Sequence, residues 1–247
     1  VRLIDLPSPN HGARAVGKPV DMLILHYTGM QSAEAALERL CDEAAQVSAH
    51  YLIDEDGTIY RLVHEKRRAW HAGVSFWRGE RDINSRSIGI ELVNPGHEFG
   101  YRPFPEAQMA SLEELAADLV AHYRIPPLHV LAHSDIAPDR KEDPGELFDW
   151  QRLAARGIGA WPEPGKSDEG GWTNAEIRDL LGRIGYGTAW DDGHGTAWDG
   201  TVWDGSAARS LLAFQRHWCP ERLTGLPDAE TVKRMRALAR VYSERLV

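Results

Sequence analysis

The chain is short of cysteine, of basic charge and of long apolar runs, and each shortage narrows what it can be. Its two cysteines, Cys41 and Cys219, lie far apart in 247 residues, so no disulfide framework holds it together. Cys41 falls in an apolar helical pattern and reads as a small buried hydrophobe; without a CxxC pair a zinc–thiolate role has no support. Lysine and arginine total 28 against 37 aspartates and glutamates, a formal charge of -9. That balance argues against a nucleic-acid partner, because phosphate binding is driven by Lys and Arg. No stretch is long and apolar enough to span a membrane as a helix. There is no HExxH helix either, which weakens the case for an ordinary metalloprotease. What is present, 43% hydrophobic and 26% charged residues, suffices for a real core in one large domain or two smaller ones.

Two regions differ in character. Between them sits WPEPGKSDEGG (161–171), rich in Pro, Gly and charge, which reads as a linker. The expected domains are therefore 1–162 and 171–247. In the first, DMLILHYT (21–28) and SIGIELV (87–93) read as buried strands, and PLHVLAH (127–133) as a further one. AHYLIDEDGTIYRLV (49–63) reads as two strands joined by a turn at Glu55-Asp56-Gly57. SAEAALERLCDE (32–43) is a helix with Ser32 as N-cap. PEAQMASLEELAADLVAHY (105–123) is another, with Pro105 in its first turn and Met109, Leu112, Leu115, Ala116 and Leu119 on one stripe. A short helix over 149–157 stops at Gly157. Strands alternating with helices predict an α/β fold, a central mixed β-sheet flanked by helices. The second region predicts three helices, over 173–187, 206–219 and 228–246, opened by a Thr-x-x-Glu capping box at Thr173 and by Asp228. Between the first two, the unit T-[AV]-W-D recurs at Thr188, Thr196 and Thr201 in a polar, Gly-rich loop. Its tryptophans read equally as an exposed aromatic patch or as side chains tucked against the helices; a short duplication without a role is a third reading.

Chemistry concentrates where apolar runs end. His26 ends MLILH, His133 ends HVLAH, and Asp143 follows ten positions later in HSDIAPDRKEDPG (133–145). Two strand-end histidines and one loop carboxylate make a His2Asp zinc set with one position open to water. The alternative is structural, since a lone histidine at a strand end seldom ligates. Glu91 alternates with Ile88, Ile90 and Leu92, onto the face shared with Gly89 and Val93. A carboxylate there is a general base at a cleft or a solvated group on an edge strand. Lys141, two before Asp143, is either an oxyanion donor or a surface lysine. His50 has no ligand-like neighbours, whereas His71 in AWHAG is placed to line a cleft. Substrate contacts are expected from His71, Tyr27 and Asn94.

Together HYT (26–28), SAHYLIDEDGTIYRLV (48–63), WHAG (70–73), NSRSIGIELVN (84–94) and HSDIAPDRKEDPG (133–145) resemble the type 2 N-acetylmuramoyl-L-alanine amidases, zinc enzymes of bacterial wall turnover related in fold to peptidoglycan-recognition proteins. The resemblance covers roughly residues 1–155. It implies hydrolysis of the amide between N-acetylmuramic acid and L-alanine in peptidoglycan or muropeptides. It also implies Zn2+ on His26, His133 and Asp143, with Glu91 handling the attacking water and Lys141 stabilising the transition state. Residues 206–238, with Phe-Gln-Arg and a Gly-x-Pro-Asp turn, resemble the three-helix peptidoglycan-binding domain fused to wall hydrolases; the Trp-Asp loop departs from its short connection. The implied setting is the cell envelope, periplasm or outer membrane, with the cytoplasm as alternative. The sequence opens VRLIDLPSPN, and the expectation is a monomer that has lost a leader able to anchor it to a membrane. The competing function is a non-catalytic peptidoglycan-binding protein; a zinc peptidase of peptide crosslinks is a third.

Overall fold

The computed structural model describes residues 2–187 and 205–244. The repeated Trp-Asp units, from Thr188 to Asp204, lie outside the described residues. Eight strands run in chain order: β1 (Leu3–Asp5), β2 (His11–Ala13), β3 (Met22–Tyr27), β4 (Tyr51–Ile53), β5 (Ile59–Arg61), β6 (Arg67–Ala69), β7 (Ser87–Leu92) and β8 (Val130–Ala132). Six form one sheet in the order β1-β5-β4-β7-β3-β8, and β2 pairs with β6 in a small second sheet. The β4–β5 pair is antiparallel while β4, β7, β3 and β8 run parallel, so the sheet is mixed, as the sequence predicts. The helices are α1 (Ala33–Cys41), α2 (Ile83–Arg86), α3 (Gly96–Phe99), α4 (Glu106–Tyr123), α5 (His133–Ile136), α6 (Trp150–Ala155), α7 (Asn174–Ile184), α8 (Gly205–Trp218) and α9 (Ala229–Glu244).

Local chemistry sets the helix starts. The Ser32 hydroxyl accepts the Ala35 amide, the Thr173 hydroxyl accepts that of Glu176, and Asp228 accepts those of Glu230 and Thr231, each satisfying donors that a helix leaves open. Pro105 stands one position before α4 rather than inside it, its backbone extended. The segment 127–133 is a strand for only three residues. A turn of 3-10 helix over Pro127–His129 precedes β8, and His133 begins α5 instead of ending the strand.

The sheet separates two apolar layers by strand alternation. Leu23, Leu25, Ile88, Ile90 and Leu92 face Met109, Leu112, Ala116 and Leu119 of α4. Met22 and Ile24, on the opposite face, join one core with Trp77, Ile136 and the helical segment's Ile177, Leu181, Leu211, Phe214, Met235 and Leu238. Each such leucine or isoleucine contributes about 1.5–3 kcal/mol on burial. The segments either side of 162–171 therefore share a core, and His26 continues the strand face that the C-terminal helices cover.

Candidate active site

Parallel pairing of β7, β3 and β8 lines up three functional positions at the strands' carboxyl ends. His26 stands opposite Glu91 in the β3–β7 register. Leu25 stands opposite Ala132 in the β3–β8 register, so His133 leaves β8 beside His26. Crevices outside the carboxyl ends of parallel strands are where α/β sheets bind ligands. Asp143 returns on the loop after α5, held by a hydrogen bond from the Ser134 amide to its carbonyl at 3.0 Å.

His26 Nδ1 lies 2.9 Å from His133 Nδ1, and Asp143 Oδ2 lies 3.1 Å and 3.0 Å from the two. All three side chains are buried. The surrounding hydrogen bonds assign the tautomers. Ser87 Oγ donates to the Ile83 carbonyl at 2.8 Å, so it accepts from His71 Nε2 at 3.1 Å. His71 Nδ1 is then a lone pair that accepts the proton on His26 Nε2 at 3.0 Å. His133 Nε2 lies 3.2 Å from the Ala72 carbonyl and 3.3 Å from the Arg140 guanidinium; with its proton donated to that carbonyl, its Nδ1 is a lone pair. Both Nδ1 atoms consequently present lone pairs to each other and to a carboxylate oxygen. In that arrangement three acceptors converge with no proton among them, which calls for a shared cation. Their spacing suits a small one, for tetrahedral zinc with ligands at about 2.0–2.1 Å places ligand atoms about 3.3 Å apart. The outward N–H bonds are the supports that fix the ring orientation of metal-binding histidines.

Electrostatics favours the ligating forms. Burial, and then the neighbouring His133, lowers the His26 imidazole to about 4, so it is neutral. Burial raises the Asp143 carboxyl, but the adjacent His133 and His26 outweigh it and hold it below the ordinary carboxylate range.

A cavity of about 260 Å³ opens on this set, lined by His71, Glu91, His133, Lys141 and Asp143 together with Arg39, Trp70 and Met30. Glu91 Oε2 is enclosed without a hydrogen-bond partner among the described residues. Burial, with the charge of Asp143 second, raises its carboxyl well above the ordinary range. A basic carboxylate beside a metal set and a lysine is equipped for proton transfer to and from an attacked carbonyl.

The structure brings His26, His133, Asp143, Glu91 and Lys141 together, and it separates the expected substrate contacts. Tyr27 lines this cavity and an adjoining one with His97, whose Nδ1 is 2.9 Å from the tyrosine hydroxyl. His71 also lines the cavity, but its two nitrogens are committed to His26 and Ser87. Asn94 does not reach either cavity. It is wholly buried, donating to the Arg102 carbonyl at 2.7 Å and accepting the Gly96 amide at 3.0 Å, and so shapes the loop after β7. Arg39 escapes sequence reasoning, because one arginine on an amphipathic helix reads as solvated face; Trp70, the neighbour of His71 in AWHAG, lines the cavity beside it. His50 is buried against Gly89, whose amide donates to its Nδ1 at 3.0 Å.

The relay through His71 depends on Gly89. A Cβ at that position would stand 2.4 Å from His71 Cγ and 2.5 Å from its Nδ1. Gly89→Ala is expected to push the ring off His26 and to destabilise the fold by about 1–3 kcal/mol, the range for overpacking, as read by urea unfolding. An unchanged midpoint and slope would show that the ring moves freely.

The chain is similar to known proteins over most of its length. Residues 16–146 fit the family model described as N-acetylmuramoyl-L-alanine amidase. The N-acetylmuramoyl-L-alanine amidase AmiD of Escherichia coli K12 is 38% identical over 252 residues, covering 94% of this chain and 87% of that protein. The structure of E. coli AmiD in complex with the substrate anhydro-N-acetylmuramic acid-L-Ala-D-gamma-Glu-L-Lys superposes with a TM-score of 0.78 at 37% identity, covering 93% of both chains. AmpDh3 of Pseudomonas aeruginosa gives 0.78 at 32% identity, covering 96% of this chain and 99% of that one. These likenesses run through the strands that carry His26 and Glu91 and on into the C-terminal helices, and they show that the chain belongs to the N-acetylmuramoyl-L-alanine amidase family.

Proposed function

We propose that the chain hydrolyses the amide between N-acetylmuramic acid and L-alanine in peptidoglycan or muropeptides, with zinc on His26, His133 and Asp143. The observation that carries this is the convergence of two Nδ1 lone pairs and a carboxylate oxygen, with Glu91 and Lys141 facing the same cavity. When bound, zinc supplies Lewis acidity to a water and to the scissile carbonyl. Glu91 takes the proton of the attacking water and returns it to the leaving nitrogen of L-alanine, which must be protonated to depart. Lys141 places its ammonium by the oxygen on which charge develops. His71 holds the His26 ring in its ligating tautomer. Family membership and the muropeptide seated in E. coli AmiD support this substrate class.

The same reading gives residues 1–162 the chemistry and residues 171–247 contact with the wall, supported by the likeness of 206–238 to wall-binding domains. It places the protein in the cell envelope, periplasm or outer membrane, where the polymer lies. No helix among the described residues is long and apolar enough to cross a membrane.

The test is mass spectrometry of the products from a defined muramoyl-tripeptide, with and without a zinc chelator. A free peptide beginning at L-alanine, lost on chelation and restored by zinc, is the expected result. Intact substrate in every sample, with retained binding to sacculi, would instead identify a non-catalytic binding protein. Lys141→Ala is expected to lower kcat by about 10²-fold, in the range for loss of one transition-state donor, while zinc content by mass spectrometry stays at the parent level. Normal turnover in that variant would remove Lys141 from the mechanism.

A further inference from the structure

Asp135 takes no part in the reaction above, yet its carboxylate is completely buried. Burying a carboxylate is costly unless donors surround it, and here three do. The Ala132 amide donates to Oδ2 at 2.8 Å, His217 Nδ1 lies 2.6 Å from the same oxygen, and the Tyr186 hydroxyl donates to Oδ1. The first belongs to the turn that delivers His133. The other two come from the C-terminal segment, 82 and 51 positions along the chain. The His217 ring is pinned between the indoles of Trp150 and Trp218, with centroids 3.7 Å and 3.6 Å away. Ile136, the next residue of α5, lies in the core with Leu211 and Phe214 of α8. At the other end of α5 the Ser134 amide holds the Asp143 carbonyl. A continuous, buried set of contacts thus leads from α8 through Asp135 to two members of the metal set.

From this juxtaposition we propose that His217 and Tyr186 are positioning residues for the metal. They clamp Asp135, hold α5 in place and so keep His133 against His26, which makes the C-terminal helices a structural part of the metal centre as well as an attachment. The proposal rests on the metal reading of His26, His133 and Asp143. α5 has a single turn and too few bonds of its own to fix a side chain, so its geometry is set by what packs on it.

The experiment is a zinc dissociation constant for the full chain, by competition with a chromophoric chelator well below the unfolding temperature. His217→Leu removes the donor and keeps apolar volume. His217→Asn keeps a donor near the position of Nδ1. Tyr186→Phe deletes only a hydroxyl. Loss of a support behind a ligating group typically weakens metal binding about 10- to 100-fold. That rise is expected for His217→Leu, a several-fold rise for Tyr186→Phe, and recovery close to the parent value for His217→Asn. A role confined to packing would lower Tm, leave the dissociation constant of the folded chain unchanged and give no rescue by asparagine. Unchanged zinc affinity in His217→Leu and Tyr186→Phe overturns the proposal; if His217→Leu does not fold, Tyr186→Phe decides it. A parent chain that takes up no zinc overturns the underlying metal reading, and is recognised from the parent alone.

Discussion

Asp143→Ala is expected to strip the metal from the protein and to lower kcat/KM on a muramoyl-peptide by on the order of 10³-fold or more, ~4 kcal/mol of transition-state stabilisation. Asp143 supplies the anionic member of the donor set; its Oδ2 is 3.1 Å and 3.0 Å from the two Nδ1 atoms. Without it, two imidazoles remain, and two nitrogen donors hold zinc poorly in competition with water. The backbone bond from Ser134 to the residue 143 carbonyl does not need the side chain, so the loop should persist and the loss should be chemical. Metal analysis after dialysis, paired with initial rates, checks both halves. Zinc content and activity equal to the parent would show that another group completes the site.

Glu91→Gln separates proton transfer from metal binding. Glutamine matches glutamate in shape but cannot take a proton from water, so kcat is expected to fall by about 10²- to 10⁴-fold, the usual range for general acid–base groups, with zinc content unchanged. Stability should hold or increase. Glu91 Oε2 is enclosed with no hydrogen-bond partner among the described residues, and burial already raises its carboxyl well above the ordinary range, so the ionised group is costly to the fold. A variant that is less active and more stable is the signature of a residue retained for catalysis. Parent-level turnover in a zinc-loaded variant would exclude Glu91 as the base.

The convergence of His26, His133 and Asp143 was legible in one dimension because the two histidines mark the ends of apolar runs. MLILH and HVLAH each carry a histidine where the apolar run stops, and Asp143 follows in a turn-rich loop. The alternation of Ile88, Ile90 and Leu92 against Gly89 and Glu91 is equally local, and it placed Glu91 on the face that the cavity occupies. Helix caps at Ser32, Thr173 and Asp228 involve neighbours two or three positions away and follow from composition.

What pairs distant segments did not. His71 looks like a cleft residue in AWHAG, yet its role is set by a ring nitrogen of His26, 45 positions away, and by the absence of a side chain on Gly89. Asn94 looks available beside a strand end, but the loop to Arg102 closes over it. The linker composition of 161–171 separates two regions on paper, whereas Met22 and Ile24 share a core with Leu181 and Phe214. Periodicity and capping act between residues a few positions apart, so the sequence by itself determined the elements, the His2Asp donor types and the polarity of each strand face. The hydrogen bonds behind each imidazole and the contacts of α5 with the C-terminal helices depend on strand register and on packing between segments 45 to 82 residues apart, and only the tertiary structure decided those.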